Sequence, residues 1–436
     1  MTKTSPLQFA RGVVLIMSFT IGILPIFVLM APVFLTAFIH SVRVIRWRKW
    51  WADISSGIYL DFAGAMLMSP LTGTKVRLYS NDPSVFLNDR GVLLLSNHRC
   101  HIDWMYCGFV WCNTLFSNGA LRFILKESIR GVPLFGWIMT GFMYIFLSRK
   151  NREADIEHID NIMRYLINSG DRPTLVLFPE GTDLTDETIA KSQEYASKHG
   201  LPLMKYVLCP KISGVETVLN RLRGQGGAVH DLTLAYKDYR FGDSGDTRPS
   251  EVGMWSGEFP REVHMIVKRT DIKDIPTERT ELERWVLNSF VQREKLLKGF
   301  YENGSVVPTA DKVKSAKERL ELKASLNEEA DKKLAESEPW PVEISWPVRV
   351  AQPILTMVSL VTVFFASLIQ FSWMRWFFII IVIYCMVIRA LFKGFDVLEL
   401  KLHMSLMDRM EKNVHMHANE TDDRNANRAT DVKKLD

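Results

Sequence analysis

The chain has 436 residues, 47% of them hydrophobic and 24% charged, with a formal net charge of +5. That composition excludes a disordered or collagen-like chain, and the mild positive balance suits work near an anionic surface without marking a nucleic-acid binder. The five cysteines (Cys100, Cys107, Cys112, Cys209, Cys385) form no CxxC pair, which argues against a disulfide scaffold or a cysteine-rich zinc site and for a reducing compartment.

The first element is apolar. From Gly12 to Ile39 the run "GVVLIMSFTIGILPIFVLMAPVFLTAFI" carries no charge. A helix needs about 20 apolar residues to cross a bilayer, so this run can span even if Pro25 or Pro32 kinks it. A secretory signal core is shorter, about 7–15 residues, and no small-residue cleavage pattern follows, so a retained anchor is expected. Arg43, Arg46, Arg48 and Lys49 after the run outweigh Lys3 and Arg11 before it. The positive-inside rule then puts the chain beyond Trp50 in the cytosol.

From Gly57 to about Phe300 the chain reads as one α/β unit. "GVLLLS" (Gly91–Ser96) and "PTLVLF" (Pro173–Phe178) are short apolar runs bounded by turn residues, as buried strands are. "AVHDLTLAY" and "EVHMIVKR" alternate, predicting strands near Val229–Tyr236 and Val263–Lys268. Between them "HIDWMYCGFVWCNTLF", "READIEHIDNIMRYLINSG" and "DETIAKSQEYASKHG" read as helices, the last two stopping on Gly170 and Gly200. Strands alternating with helices predict an α/β fold with a mixed, largely parallel sheet flanked by helices.

Beyond Phe300, residues 301–347 mix acidic and basic residues at helical spacing, a charged linker or helix. A second apolar zone, Ala351–Ile388, is interrupted by Arg375 and a cluster of Trp and Phe. Two passes joined by an interfacial turn fit it, with a re-entrant hairpin as the alternative for 348–395. The polar tail, 396–436, ends "DVKKLD", with Lys433 and Lys434 placed as in a dilysine retrieval signal of endoplasmic-reticulum membrane proteins. On a cytosolic chain the sequons at Asn303 and Asn419 should carry no sugar.

Two strand ends carry candidate chemistry. In "SNHRCHID", His98 and Asp103 are five residues apart, a spacing that separates side chains by about 140° on a regular helix. They meet only if His98 lies in the loop leaving the strand and Asp103 in the first turn of the next helix. The pair then reads either as a base whose other ring nitrogen donates to an orienting carboxylate, or as a helix cap beside a loop histidine. His101 is the alternative base within the motif. In "TLVLFPEGTDL" a buried strand ends in the turn Pro179-Glu180-Gly181-Thr182. There Gly181 lets backbone approach a ligand and Glu180 can accept from a glycerol or sugar hydroxyl. The alternative is an ordinary turn.

These stretches resemble blocks of the glycerolipid acyltransferases. "NHRCHID" is similar to their NHxxxxD block and "FPEGTD" to their FPEGT block, while "KESIRGVPLFGWIMTGFMYIFLSRK" and "VLCPKISGVETVLNRL" resemble the second and fourth blocks, all in order. The chain looks most like the lysocardiolipin and lysophosphatidylinositol acyltransferase branch. The resemblance implies an acyltransferase domain over 51–300, behind a membrane anchor with its basic flank over 1–50. It implies transfer of a fatty acyl group from acyl-CoA, a co-substrate, to a lysophospholipid hydroxyl, with no cofactor or metal and no nucleic-acid partner. It assigns His98 as general base and Asp103 as its orienting partner. Arg149 would bind the acceptor phosphate, and Glu180, Gly181 and Thr182 would hold its glycerol part. Basic Lys126, Arg130 and Lys150 are available for anionic head groups. Two positions depart from the family pattern. Asp183 stands where many relatives have a phosphate-binding Arg, and Lys211 stands where Arg is typical, keeping charge but losing fork geometry. Lysophosphatidylinositol or lysocardiolipin is therefore the expected acceptor, with lysophosphatidate as the alternative. A catalytically silent lipid-binding membrane protein is the rival of another class. The expected location is the endoplasmic-reticulum membrane, multi-pass, with the catalytic domain facing the cytosol.

Overall fold

The computed structural model describes residues 5–39, 41–80, 91–110, 121–237, 249–303, 340–341, 346–407 and 409. Two long helices open the chain. Helix α1, Pro6–Leu35, starts on a Ser5 capping box and carries both Pro25 and Pro32 inside it. Helix α2, Val42–Leu67, begins within the basic flank and runs on through Trp50. Part of that flank is structural rather than solvated. Arg43 and Arg46 are exposed, but Arg48 is buried against Glu399 at 2.6 Å, and Lys49 pairs with Asp53 at 2.8 Å and Asp171 at 2.9 Å.

Among the described residues the strands are β1 (Lys75–Ser80), β2 (Val92–Ser96), β3 (Leu121–Lys126), β4 (Ile145–Leu147), β5 (Thr174–Leu177), β6 (Ala228–Tyr236), β7 (Glu262–Asp271) and β8 (Trp340–Pro341). They form one eight-stranded sheet in the order β4-β3-β5-β2-β6-β7-β1-β8. Among these described strands only β6 with β7 and β1 with β8 pair antiparallel, so the mixed, largely parallel sheet is as expected. Covering both faces of a parallel sheet demands strands that are apolar throughout. Central β2 is buried at all five positions, with Val92 and Leu94 in one core and Leu93 and Leu95 in the other.

On the first face lie α1, α2, a π-helical turn at Met105–Val110 and the short helix α3 (Phe135–Gly141). On the second lie α4 (Arg152–Asn168), α6 (Ile212–Leu222) and α8 (Arg279–Asn303). Helix α5 (Asp186–Lys198) and the short α7 (Glu251–Trp255) complete the domain. Among the described residues the helix expected after "SNHRCHID" begins at Asp103 and continues as the π-helical stretch Met105–Val110; Trp111, Cys112 and Phe116 lie outside the described residues.

The C-terminal apolar zone folds as two consecutive helices, α9 (Trp346–Gln370) and α10 (Ser372–Phe392), broken at Phe371. Three helices, Pro6–Leu35, Val350–Gln370 and Ser372–Phe392, are long and apolar enough to cross a membrane. At the break the Arg375 guanidinium donates to the Leu368 carbonyl at 2.6 Å. A last helix, residues 395–407, turns back onto the domain. The dilysine pair and most of the charged 301–347 segment lie outside the described residues.

Both ends of α1 touch the domain. A Cβ on Gly12 would collide with the Trp255 carbonyl of α7, and Gly257, at φ +87°, passes so close to the Gln8 carbonyl that any side chain would clash there. At the other end Phe34 packs on Phe395, ring centroids 5.5 Å apart, and Tyr384 donates to the Phe34 carbonyl at 3.0 Å.

Candidate active site

Parallel strands β2 and β5 end side by side, so the loops that follow them meet at one edge of the sheet. Asn97 ends β2 by imitating a peptide. Its side-chain amide donates to the Leu234 carbonyl at 3.0 Å and accepts from the Leu234 amide at 2.8 Å, extending the pairing with β6 by one residue. The next residue, His98, therefore leaves the sheet, and Asp103 sits in the first helical turn, where the pair can meet.

His98 Nδ1 lies 3.0 Å from Asp103 Oδ2. A carboxylate only accepts, so Nδ1 carries the proton and Nε2 keeps its lone pair. Asp103 is fully buried and further fixed: Oδ2 accepts from the Cys100 amide at 2.8 Å, and Oδ1 from the Tyr236 hydroxyl at 2.8 Å and the Cys100 thiol at 3.2 Å. The His98 side chain keeps 17% of its surface accessible and stacks on Phe178, centroids 4.4 Å apart. Burial alone would lower the His98 pKa; the hydrogen bond and charge of Asp103, with the charges of Glu180 and Asp183, outweigh it and raise it above the ordinary histidine value.

Glu180 stands apart from its expected role. Its carboxylate is 2% exposed and turned inward, with Oε1 accepting from the His98 amide at 2.8 Å and Oε2 from the Leu208 amide at 2.9 Å. Burial pushes its pKa up to about 7, against the pull of those two amides, His98 and Arg293. It joins the two strand-end loops and the Leu208 segment rather than facing an open cleft. Gly181 makes the tight turn here. It turns at φ +76°, its amide closing on the Phe178 carbonyl at 3.0 Å, and a Cβ there would sit 3.1 Å from Lys211 Nζ. Lys211 thus lies against the turn. Thr182 donates to Asp183 at 3.2 Å, and Asp183 pairs with His101 at 3.2 Å, which takes His101 away from Asp103.

Arg149 stands exposed at the end of β4 in the left-handed region, φ +59°. Asp155 holds that turn, accepting from the Arg149 amide at 2.8 Å and the Ser148 amide at 2.9 Å. Lys126 and Lys150 are exposed, but Arg130 is not available to a head group: it is 6% exposed and bound to Asp396 at 2.9 Å. Trp104 packs edge-on against Phe123 as part of the core, centroids 5.8 Å apart. Among the described residues no group of three or more His, Cys, Asp or Glu is arranged to hold a metal.

The chain matches the family model described as Acyltransferase over residues 76–219, which contains both strand-end loops, and the one described as Acyltransferase C-terminus over 253–326. Lysocardiolipin acyltransferase 1 of Gallus gallus is 30% identical over 370 residues, 82% of this chain and 86% of that protein. The chain belongs to the acyltransferase family. Two further relatives carry other names. Probable 1-acyl-sn-glycerol-3-phosphate acyltransferase 5 of Arabidopsis thaliana is 33% identical over 62% of this chain and 68% of that one. Lysophosphatidylinositol acyltransferase 10 of Caenorhabditis elegans is 31% identical over 58% and 61%.

Several residues that shape this candidate site escape a sequence reading. Tyr236, Leu208 and Arg293 reach it from distant segments, Arg293 donating to the Leu95 carbonyl at 2.8 Å. Only the alternation of "AVHDLTLAY" hinted at Tyr236, and parity along a strand does not say which strand lies next to it. Tyr236→Phe removes one donor from Asp103 and leaves more of its negative charge facing His98. The expected result is a kcat/KM about 10-fold lower, on the scale of one hydrogen bond to a charged group, with the acid limb of the pH profile moved to higher pH. Steady-state assays across pH check both.

Proposed function

We propose that this enzyme transfers a fatty acyl group from acyl-CoA to a free glycerol hydroxyl of a lysophospholipid, with His98 as general base and Asp103 as its orienting partner. The observation that carries the reading is the 3.0 Å contact between His98 and a fully buried, multiply bonded Asp103 at a strand end beside the Phe178–Thr182 turn. His98 Nε2 takes the acceptor hydroxyl proton as that oxygen attacks the thioester carbonyl. Collapse of the tetrahedral intermediate breaks the C–S bond, and the imidazolium returns its proton to the CoA thiolate. A thioester is already activated, so the scheme calls for no metal and no covalent enzyme intermediate. Arg149 and Lys211 supply charge for the acceptor phosphate, while Gly181 and Thr182 offer backbone and hydroxyl contacts to its glycerol part. Glu180 holds the His98 backbone in place.

Lysophosphatidylinositol or lysocardiolipin is the favoured acceptor. The names of the chicken and nematode relatives support this, and so does the carboxylate of Asp183 beside the site, which disfavours a phosphomonoester. Lysophosphatidate is the second reading, favoured by the Arabidopsis relative's name. The intact bonding of Asp103 argues against a silent lipid-binding protein, which has no need to fix a histidine tautomer. The membrane setting is the endoplasmic reticulum with the domain on the cytosolic side, the side favoured by exposed Arg43 and Arg46. Membranes containing the full chain should incorporate labelled acyl-CoA into a lysolipid offered from a panel of lysophosphatidylinositol, lysocardiolipin and lysophosphatidate. Incorporation into none of them would sink the proposal, and the ranking decides the acceptor.

A further inference from the structure

The helix at residues 395–407 lies beyond the span matched by either family model, yet it places two carboxylates deep inside the domain. Asp396 and Glu399 are both fully buried. Glu399 pairs with Arg48 of α2 at 2.6 Å and accepts from the Tyr165 hydroxyl at 2.8 Å. Asp396 pairs with Arg130 at 2.9 Å, in the loop between β3 and α3. Desolvating two ion pairs is expensive, and apolar residues of similar volume often serve stability as well, so a buried pair calls for another explanation.

For Arg130 the surroundings supply one. Its guanidinium, held by Asp396, lies over the Phe146 ring, 4.8 Å from the centroid. Phe146 is in β4, the three-residue strand whose end delivers Ser148 and Arg149. Arg149 occupies a left-handed conformation that its side chain disfavours, so the turn depends on what holds the strand and on Asp155. The same loop is gripped a second time, where Arg389 of α10 donates to the Gly131 carbonyl at 2.6 Å. The Glu399 pair reaches the turn less directly, since it ties α2 to Tyr165 of α4, ten residues along that helix from Asp155.

We infer that Asp396 is a positioning residue for the acceptor-binding turn at Arg149, acting through Arg130 and Phe146. The C-terminal membrane segments and the helix after them thus form part of the apparatus that sets affinity for the lysolipid. This rests on the proposed role of Arg149 toward the acceptor phosphate.

The test is steady-state kinetics of full-length variants in membranes, with thermal midpoints measured alongside. Asp396→Asn is expected to raise the KM for lysolipid about 10-fold, the scale of a displaced charge-assisted contact, with the acyl-CoA KM and kcat within about 2-fold of wild type. Glu399→Gln, on the same helix and equally buried, should lower the thermal midpoint and leave the lysolipid KM unchanged. If both variants alter all parameters alike, Asp396 is merely structural and the inference falls. Should Asp396→Asn fail to accumulate folded, Arg130→Lys carries the same expectation, because it keeps the charge but loses the flat contact with Phe146. Arg149→Gln separates the two layers. An unchanged lysolipid KM there defeats the assignment of Arg149 itself, whereas a raised one with a normal Asp396→Asn defeats only the coupling.

Discussion

Membranes carrying His98→Ala are expected to transfer labelled acyl groups about 10^3-fold more slowly than wild type, the middle of the range for removing a general base. Asp103→Asn should be at least as damaging, by analogy with the roughly 10^4-fold loss when a histidine's orienting aspartate becomes an amide elsewhere. The reason is the tautomer: an Asn can present its NH2 to Nδ1, which moves the proton to Nε2 and removes the base. The pH dependence distinguishes this from simple damage. Base catalysis needs neutral His98, so wild-type kcat/KM should fall as pH drops through a pKa raised above 6.5. In Asp103→Asn the bond and charge that raise it are gone while burial still lowers it, so the acid limb of the residual activity should move to lower pH. A residual rate with an unshifted limb would assign the titration to another group.

Glu180 carries the second large effect. Glu180→Ala leaves the His98 and Leu208 amides without acceptors in a site where water does not reach freely, and should cost about 3 kcal/mol of stability. Glu180→Gln is not a gentle substitute. One of its two terminal atoms becomes a donor and faces a donor, either the His98 or the Leu208 N–H. The carboxyl pKa of about 7 in the fold lies above its ordinary value of 4.5. The folded chain therefore holds that proton more tightly than the unfolded one between these values, and Glu180's contribution is fully present below 4.5 and lost as pH rises toward 7. Thermal midpoints of wild type and Glu180→Gln across that window check this. Their difference should shrink as pH rises, and a parallel pair of curves would contradict the assignment.

What was legible in advance follows from how local each signal is. Central strands β2 and β5 announce themselves because a buried parallel strand is apolar at every position, and β6 and β7 because they alternate. Strands β1, β3 and β4 did not stand out. "KVRLYS" alternates only over its first half, and Ile145–Leu147 is too short to carry a period. The spacing required His98 off the helix and Asp103 on it if the two were to meet, and they do meet in that arrangement. Glu180 illustrates the limit. The sequence shows a carboxylate in a turn, but not that two amides 82 and 28 residues away would occupy it. Arg130 reads as a free cation because its partner is 266 residues further on. Such pairings are products of sheet order and domain closure, which no short window contains.

The attachment of α1 at both ends has a mechanical consequence. A spanning helix tethered at one end adjusts to a thicker or thinner bilayer by tilting on its own. With Gly12 wedged against α7 at one end and Phe34 seated against Phe395 at the other, α1 behaves as a beam built into its supports. Any tilt it adopts must carry the whole sheet with it.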